Sequence, residues 1–339
     1  MRTISFDIMK GIGILLMMYC HIVQENYNII YSFHMPMFFI LSGYFVKDEN
    51  TSISNLITYI KNRSKRLLLP LIVTLLFLCV WGVILWITKD DMSFLKTSFL
   101  SIFWLGADIL STPSGNVTIY SLWFLISLFW IGLLFKLFLL LFNNCRVRYK
   151  NLYILITCII LSASTSFIVN FFTIPPLPFS LLQAFTALVF YAIGWYVKRC
   201  TISKELKWIC ILSWPLALYF GAIELYGCYY KLFILDVLGA CGATLLLFKI
   251  CRFIENKINN NLLLSLPFNF LSWCGVNSLL ILCMHELEIR TQFVYSMICR
   301  FPADYEYVLR GGVNIIHFIL PLLMAMIILK IPYLNKVYR

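Results

Sequence analysis

Apolar runs long enough to cross a membrane recur along the whole chain, and short polar segments separate them. A helix needs about 20 residues to span the hydrocarbon core of a bilayer. The pattern predicts ten such helices, at residues 8–23, 29–46, 67–87, 119–142, 152–171, 179–197, 207–223, 232–250, 268–288 and 309–331. Since no polar stretch between them is long enough for a separate soluble domain, we expect residues 1–339 to form one all-α, polytopic membrane domain.

Two of the connecting segments also carry helical patterns. In the basic segment 47–66, apolar residues from Ile53 to Ile60 recur at helical spacing beside a polar face. This pattern predicts a helix that lies on the inner membrane surface. In the longest loop, the apolar stretch Phe94–Leu105 predicts an interfacial or re-entrant helix.

The distribution of charge fixes the expected orientation. Of all residues, 61% are hydrophobic and 12% are charged, and the net charge is +12. With the N-terminus inside, the outer segments hold only a few of the 27 basic residues, namely Lys89, Lys96, Lys231, Arg290, Arg300 and Arg310. Cytoplasmic loops carry such an excess of Lys and Arg, so both termini are predicted to be cytoplasmic. The positive charge therefore reflects topology, and nucleic acid is not an expected partner.

The first span places two polar side chains on one helical face. Lys10 and His21 are eleven residues apart, which brings them within about 20° of the same direction and roughly 16 Å apart along the axis. Lys10 would lie near the cytoplasmic interface, and His21 in the outer half of the membrane. Ionisable groups at such depth are costly and mark functional sites. The alternative is that Lys10 extends to the interface while His21 bonds a backbone carbonyl.

The other three histidines map to the same outer half of the membrane. His34 begins the second span, His285 lies near the outer end of the ninth, and His317 lies about two turns into the tenth. Neutral imidazoles in a partly dry cavity suit general-base chemistry on a hydroxyl. For His317 we favour a structural role. The twelve cysteines show no CxxC pair and the histidines no ligand spacing, so no metal site is predicted.

Further polar groups are candidates for ligand binding. Arg63 and Arg66 are three residues apart, which puts two guanidinium groups on one helical face, as phosphate binding requires. Basic residues beside a span also serve simply as topology signals. Asp236 lies within a span and either lines a substrate path or ties helices together. Trp123 fits a packing or interface aromatic as well as a surface for a sugar ring.

Three segments follow one another in a specific order: Asp7 to His21, the run Phe33-His34-Met35-Pro36-Met37-Phe38-Phe39-Ile40-Leu41-Ser42-Gly43-Tyr44, and the pair Arg63 and Arg66. This order resembles that of the membrane acyltransferase-3 family, and most closely its fucose 4-O-acetylase-like branch of polysaccharide O-acetyltransferases. The segments Ser121-Leu122-Trp123 and Asn277 to His285 fit the same order less specifically.

The resemblance implies a ten-helix core that transfers an acetyl or related acyl group from acetyl-CoA, entering from the cytoplasm, to a saccharide or glycolipid hydroxyl. The family's basic residue, ten intervening residues and histidine correspond to Lys10 and His21, although arginine is commoner at the first position. The expected catalytic residues are His21, His34 and Lys10, and the expected donor-binding residues are Arg63, Arg66 and Lys10. Those expected to bind the acceptor are His285, Ser42, Trp123 and Asp236.

Other functions remain compatible with the pattern. A glycan or lipid transporter or flippase also needs buried polar residues, although transporter folds often show repeated halves and no repeat is visible here. A structural subunit of a glycan-assembly complex is the third reading. The expected location is the bacterial inner membrane, and association with a second copy or with glycan-assembly partners is left open.

The predicted orientation can be tested on a cysteine-free background. Single cysteines replacing Ser54, Arg146 and Lys204 should react only from the cytoplasmic side, because the excess of basic residues retains these segments inside. Cysteines replacing Ser114 and Asp304 should react from outside. Labelling of Ser54→Cys by a membrane-impermeant reagent added to intact cells would reverse the orientation.

Overall fold

The structure is a computed structural model that describes residues 3–23, 27–47, 53–107, 110–112, 115–142, 149–258, 262–291 and 306–338. The topology probes at Arg146, Ser114 and Asp304, and most of the outer segment 289–308, lie outside these residues. Within them the chain is mainly α-helical, as its apolar periodicity predicts.

The described elements follow one another as a series of helices with two small hairpins. The helices are α1 (Ile4–Val23), α2 (Tyr27–Tyr31), α3 (His34–Tyr44), α4 (Ile53–Arg63), α5 (Leu69–Lys89), α6 (Ser93–Trp104), α7 (Trp123–Leu141), α8 (Lys150–Phe171), α9 (Leu181–Arg199), α10 (Lys204–Phe220), α11 (Phe233–Ile258), α12 (Leu262–Val276), α13 (Ser278–Thr291), α14 (Glu306–Lys330) and α15 (Pro332–Tyr338). A π-helical turn, Ser64–Leu68, joins α4 to α5. The antiparallel hairpins are β1 (Leu110–Thr112) with β2 (Gly115–Val117), and β3 (Ile223–Glu224) with β4 (Tyr229–Tyr230).

Seven helical segments among the described residues are long and apolar enough to cross a membrane, so the chain is a multi-pass membrane protein. They are Ile4–Val23, Ser54–Lys89, Tyr120–Leu141, Lys150–Phe171, Pro178–Arg199, Phe233–Lys257 and Gly312–Lys330. A bent pair of helices, Ser265–Val276 and Ser278–Thr291, would be an eighth. The expected count of ten is not confirmed, and neither are the sides of the termini.

The difference from ten spans has a local cause in each case. The second predicted span is divided between α2 and α3, and α3 has only 11 residues. Its break contains Ser32, whose hydroxyl donates to the Ile29 carbonyl and so competes with the helical ladder. The helix α10, at the seventh predicted span, has 17 residues and is shorter than the roughly 20 residues that a span needs. The ninth predicted span is bent by 78° at Asn277, between α12 and α13.

Both connecting segments form helices, as the sequence predicts, and their expected positions at the membrane surface stay predictions. The amphipathic pattern of segment 47–66 forms α4, whose mean hydropathy is far lower than that of the spans. The stretch predicted at Phe94–Leu105 forms α6, which packs back along α5 where Gly82 faces Leu95.

Glycines allow the central helices to approach one another closely. A Cβ added at Gly11 of α1 would overlap the Leu271 carbonyl of α12, and one added at Gly275 of α12 would overlap the Asp7 carbonyl of α1. Small residues drive such packing in membranes, where lipid is as apolar as leucine and close backbone contact supplies the stabilisation.

A second reciprocal pair joins α3 to α9. A Cβ at Gly43 would overlap the Tyr191 carbonyl, and a Cβ at Gly194 would overlap the Ile40 carbonyl. The two pairs hold α1 and α3 against different partners, and one buried apolar cluster extends from Ile14 of α1 to Tyr338 of α15. Since α1 carries His21 and α3 carries His34, these contacts position both side chains.

The glycine contact between α1 and α12 gives a direct test. Gly275→Ala places a methyl group against a backbone carbonyl that cannot rotate away, and overpacking of this kind costs about 1–3 kcal/mol. We expect its midpoint of thermal unfolding in detergent to fall by several degrees. Gly312→Ala is the matched control. Beyond its own stretch of helix, no atom of the described residues lies within 4 Å of the added methyl, and alanine favours the helix. Equal midpoints for the two variants would contradict the importance of the close approach.

Candidate active site

A cavity of about 1980 Å³ lies among α1, α3, α7 and the segment from α4 to α5, and reaches the β3–β4 hairpin and the bend between α12 and α13. Pockets for drug-sized molecules measure about 300–1,000 Å³. The cavity therefore has room for a large ligand or for two ligands at once. Of the nine expected site residues, it is bordered by Lys10, His21, His34, Ser42, Arg63, Arg66, Trp123 and Asp236.

One part of the cavity lining is strongly cationic. Its basic residues are Lys10, Lys47, Arg63, Arg66 and Lys136. Asp7 partly offsets this charge, because its Oδ1 lies 3.2 Å from Lys10 Nζ. Lys136 Nζ donates to the Lys47 carbonyl at 3.2 Å, which holds these two residues beside each other. A concave site lined by one sign of charge attracts a ligand of the opposite sign, so this part suits a polyanion.

Arg63 is half-buried and held on several sides. Its Nη2 donates to the Leu128 carbonyl of α7 at 2.6 Å. Its guanidinium lies 5.5 Å from the Tyr59 ring centroid and 5.9 Å from that of Tyr191, within the range of cation–π attraction. Gly132 provides the space, since a Cβ there would overlap the guanidinium. The orientation of Arg63 is therefore built into the packing of α4 on α7.

Arg66 lies in a different local structure from Arg63. It is exposed and belongs to the π-helical turn Ser64–Leu68, whose hydrogen bonds run from residue i to i+5. The α-helical spacing from which the sequence places Arg63 and Arg66 on one face therefore does not apply beyond Arg63. Both side chains nevertheless border the same cavity.

Two of the expected histidines are in direct contact. His21 Nδ1 lies 3.3 Å from His285 Nε2, and the two rings stack with their centroids 5.4 Å apart. His21 borders the cavity, whereas the His285 side chain is fully buried and is not part of the lining. The expected role of His285 in acceptor binding stays a prediction; in the structure it contacts His21, which borders the cavity.

His34 borders the cavity and has a defined tautomer. Its Nδ1 lies 2.9 Å from the Ile30 carbonyl oxygen, which can only accept, so Nδ1 carries the proton and donates it. The Tyr31 ring packs edge-on against the imidazole, at 4.9 Å between centroids. In the neutral imidazole, the Nε2 of His34 consequently holds a lone pair.

The fourth histidine has a buried partner away from the cavity. His317 Nδ1 lies 2.5 Å from Glu288 Oε1, and the Glu288 side chain is fully buried. This pair joins α13 to α14, which is the structural role favoured from the sequence.

The remaining expected acceptor residues border the cavity but also have internal partners. Ser42 Oγ donates to the Phe38 carbonyl at 2.8 Å. Asp236 Oδ2 accepts from the Leu232 backbone N–H at 2.8 Å, just before α11, where a carboxylate stabilises the helix N-terminus. Trp123 is the first residue of α7, and its indole packs edge-on against the Tyr226 ring.

A buried network near the histidine pair was given no role from the sequence. Glu286 Oε2 accepts from the backbone N–H of Ser121 at 3.1 Å and from its hydroxyl at 2.5 Å. Arg290 Nε lies 3.3 Å from Glu286 Oε1, and Arg290 Nη2 donates to the Thr118 carbonyl. The i, i+4 spacing of Glu286 and Arg290 could have predicted their ion pair. The part played by Ser121 depends on tertiary structure.

One comparison with known proteins finds a relationship. A family model described as an acyltransferase domain matches residues 3–331, nearly the whole chain. No curated protein and no solved structure matches this chain.

Proposed function

The chain belongs to the acyltransferase-3 family and is a membrane acyltransferase, and we propose that it moves an acetyl or related acyl group from acyl-CoA to a hydroxyl of a cell-surface polysaccharide or lipid-linked glycan. The observation that carries this proposal is the shared cavity. Its lining combines basic residues suited to the phosphates of the donor with two histidines suited to proton transfer.

The donor would bind with its phosphates at the cationic part of the lining. Arg63 is oriented by α7 and Arg66 is exposed, so their guanidinium groups can present N–H donors to phosphate oxygens. Lys10 would add a third charge, on the helical face that leads to His21. The separation of Lys10 from His21 along α1, roughly 16 Å, lets the pantetheine arm run between them.

The chemical step would take place at His21. Its Nε2 removes the proton from the acceptor hydroxyl as the hydroxyl oxygen attacks the thioester carbonyl carbon. The carbon–sulfur bond then breaks, the acyl ester forms, and the departing thiolate takes up the proton to give free CoA thiol. In an alternative course, His21 carries the acyl group transiently before the acceptor receives it. The lone pair on His34 Nε2 would allow it to assist as a second base.

The acceptor would contact Ser42, Trp123 and Asp236, which all border the cavity. An aromatic ring offers an apolar face to a sugar, and hydroxyl and carboxylate groups bond its hydroxyls. With basic residues at the cytoplasmic side, the donor would enter from the cytoplasm and the acceptor from the periplasmic side of the bacterial inner membrane.

The size and polarity of the cavity also suit a second candidate, a glycan or lipid flippase. A flippase would move its cargo without consuming acyl-CoA. Release of CoA thiol by the purified protein, with the acyl group recovered on an added sugar, separates the two functions.

His21→Ala should abolish acyl transfer while leaving membrane expression normal. Loss of a general base or nucleophile lowers the rate by about 100-fold or more. The measurement is acetylation of surface polysaccharide in cells, together with CoA release by the purified protein. Tyr19→Phe is the matched control, since Tyr19 lies on the same helix but does not border the cavity. Wild-type acetylation in the His21→Ala strain would remove His21 from the mechanism.

The Arg63 and Arg66 pair should govern use of the donor more than use of the acceptor. Replacing both with alanine is expected to raise the KM for acetyl-CoA by about tenfold or more, because charged hydrogen bonds to phosphate are lost. Replacement with lysine should restore donor use only in part, since an ammonium group cannot bind in a bidentate manner.

The control for this experiment is the double variant Lys204→Ala and Lys207→Ala. It removes the same charge from residues that do not border the cavity, so its KM should equal that of the wild type. An unchanged KM in the double arginine variant would reduce that pair to a topology signal.

A further inference from the structure

We propose that His285 is a positioning residue, which holds His21 in the tautomer that presents the Nε2 lone pair to the cavity. This inference rests on the proposed function, in which His21 carries out the proton transfer. It gives His285 a task that needs no contact with either substrate.

The geometry separates the two histidines by role. His21 borders the cavity and His285 does not, yet their ring nitrogens lie 3.3 Å apart. Since this contact occupies Nδ1 of His21, the nitrogen left to face a ligand is Nε2. A hydrogen bond to the other ring nitrogen decides which tautomer an imidazole adopts.

The position of His285 is itself fixed by its neighbours in the chain. The next residue, Glu286, accepts two hydrogen bonds from Ser121, which lies two residues before α7, and pairs with Arg290 one turn later. These contacts fix the rotation of α13 about its own axis and its position along that axis, after the bend at Asn277. They thereby keep the His285 ring stacked on His21, with 17° between the ring planes.

The tautomer follows from the chemical step. Two ring nitrogens in contact share one proton, so one donates and the other accepts. If His21 Nδ1 donates to His285 Nε2, then His21 Nε2 can remove a proton from the acceptor hydroxyl. Once His21 is protonated, the same bond becomes charge-assisted and stabilises the imidazolium form. His34, whose Nδ1 donates to the Ile30 carbonyl, shows the same arrangement.

The other ring nitrogen of His285 argues against a purely structural role. Its Nδ1 is buried and has no hydrogen-bond partner among the residues that the structure describes. A buried polar atom of this kind destabilises the fold, and an apolar residue of similar size would avoid the penalty. We infer that histidine is present at 285 for its effect on His21 rather than for stability.

The test compares the full-length wild type with His285→Leu and His285→Gln, all in lipid nanodiscs with acetyl-CoA as donor. The leucine variant should lower kcat by about tenfold or more, the usual effect of losing a residue that orients a reactive group. Its KM for acetyl-CoA should stay within about twofold and its unfolding midpoint should not fall. Glutamine, whose amide oxygen accepts from Nδ1–H, should restore part of kcat.

Nitrogen NMR reports which ring nitrogen of a histidine carries the proton. The chain has only 4 histidines, so each signal can be assigned by removing one histidine at a time. The wild type should show His21 protonated at Nδ1, and His285→Leu should lose this preference. His317→Leu removes a half-buried histidine that is paired with Glu288, and it should leave the His21 signal unchanged.

The outcomes distinguish this inference from the proposed function. An active wild type with His21 protonated at Nε2, or a His285→Leu variant with wild-type kcat, would overturn the positioning role alone. A wild type that cleaves no acetyl-CoA would instead contradict the proposed function, and the inference with it.

Discussion

The close approach of helix backbones at paired glycines is the constraint on which the site depends. Inside a bilayer, burying apolar side chains gives little drive for helices to associate, so backbone contact has to supply it. Gly11 with Gly275 and Gly43 with Gly194 place α1 on α12 and α3 on α9. These helices carry or adjoin both cavity histidines. The glycine contacts hold together the helices that surround the cavity, and Gly275 itself borders it.

Some polar groups of the site border the cavity, and others hold those side chains in place. Lys10, Arg63, His21 and His34 border the cavity. Asp7 contacts Lys10, and the Leu128 carbonyl accepts from Arg63; both of these supporting residues also border the cavity. His285 supports His21 from behind the lining. Such supporting groups bring a reactive side chain close to its working geometry before substrate arrives, which is how enzymes avoid reorganisation during the reaction.

Periodicity predicts the helices well, because a membrane helix must satisfy its own backbone hydrogen bonds and cover itself with apolar residues. It predicts α4 and α6 for the same reason. It misses the bend at Asn277, because apolar residues continue on both sides of Asn277 and the direction of each helix depends on its packing against others, such as α12 on α1. Depth along each span brought His21 and His285 together, but it cannot tell which of two histidines faces the cavity. That distinction depends on rotation about the helix axis relative to neighbours.

The π-helical turn between Arg63 and Leu69 fixes the length of the chain at that point. On one side, Arg63 has to meet the Leu128 carbonyl. On the other, Leu71, Leu75 and Leu78 of α5 must face the core, where they are fully buried. Deleting one residue would restore ordinary α-helix but rotate α4 by about 100° relative to α5, and Arg63 would point elsewhere. The π-helical turn thus sets the rotation of α4 relative to α5 that lets Arg63 and the α5 leucines both reach their partners. This segment should therefore tolerate substitutions far better than changes in length.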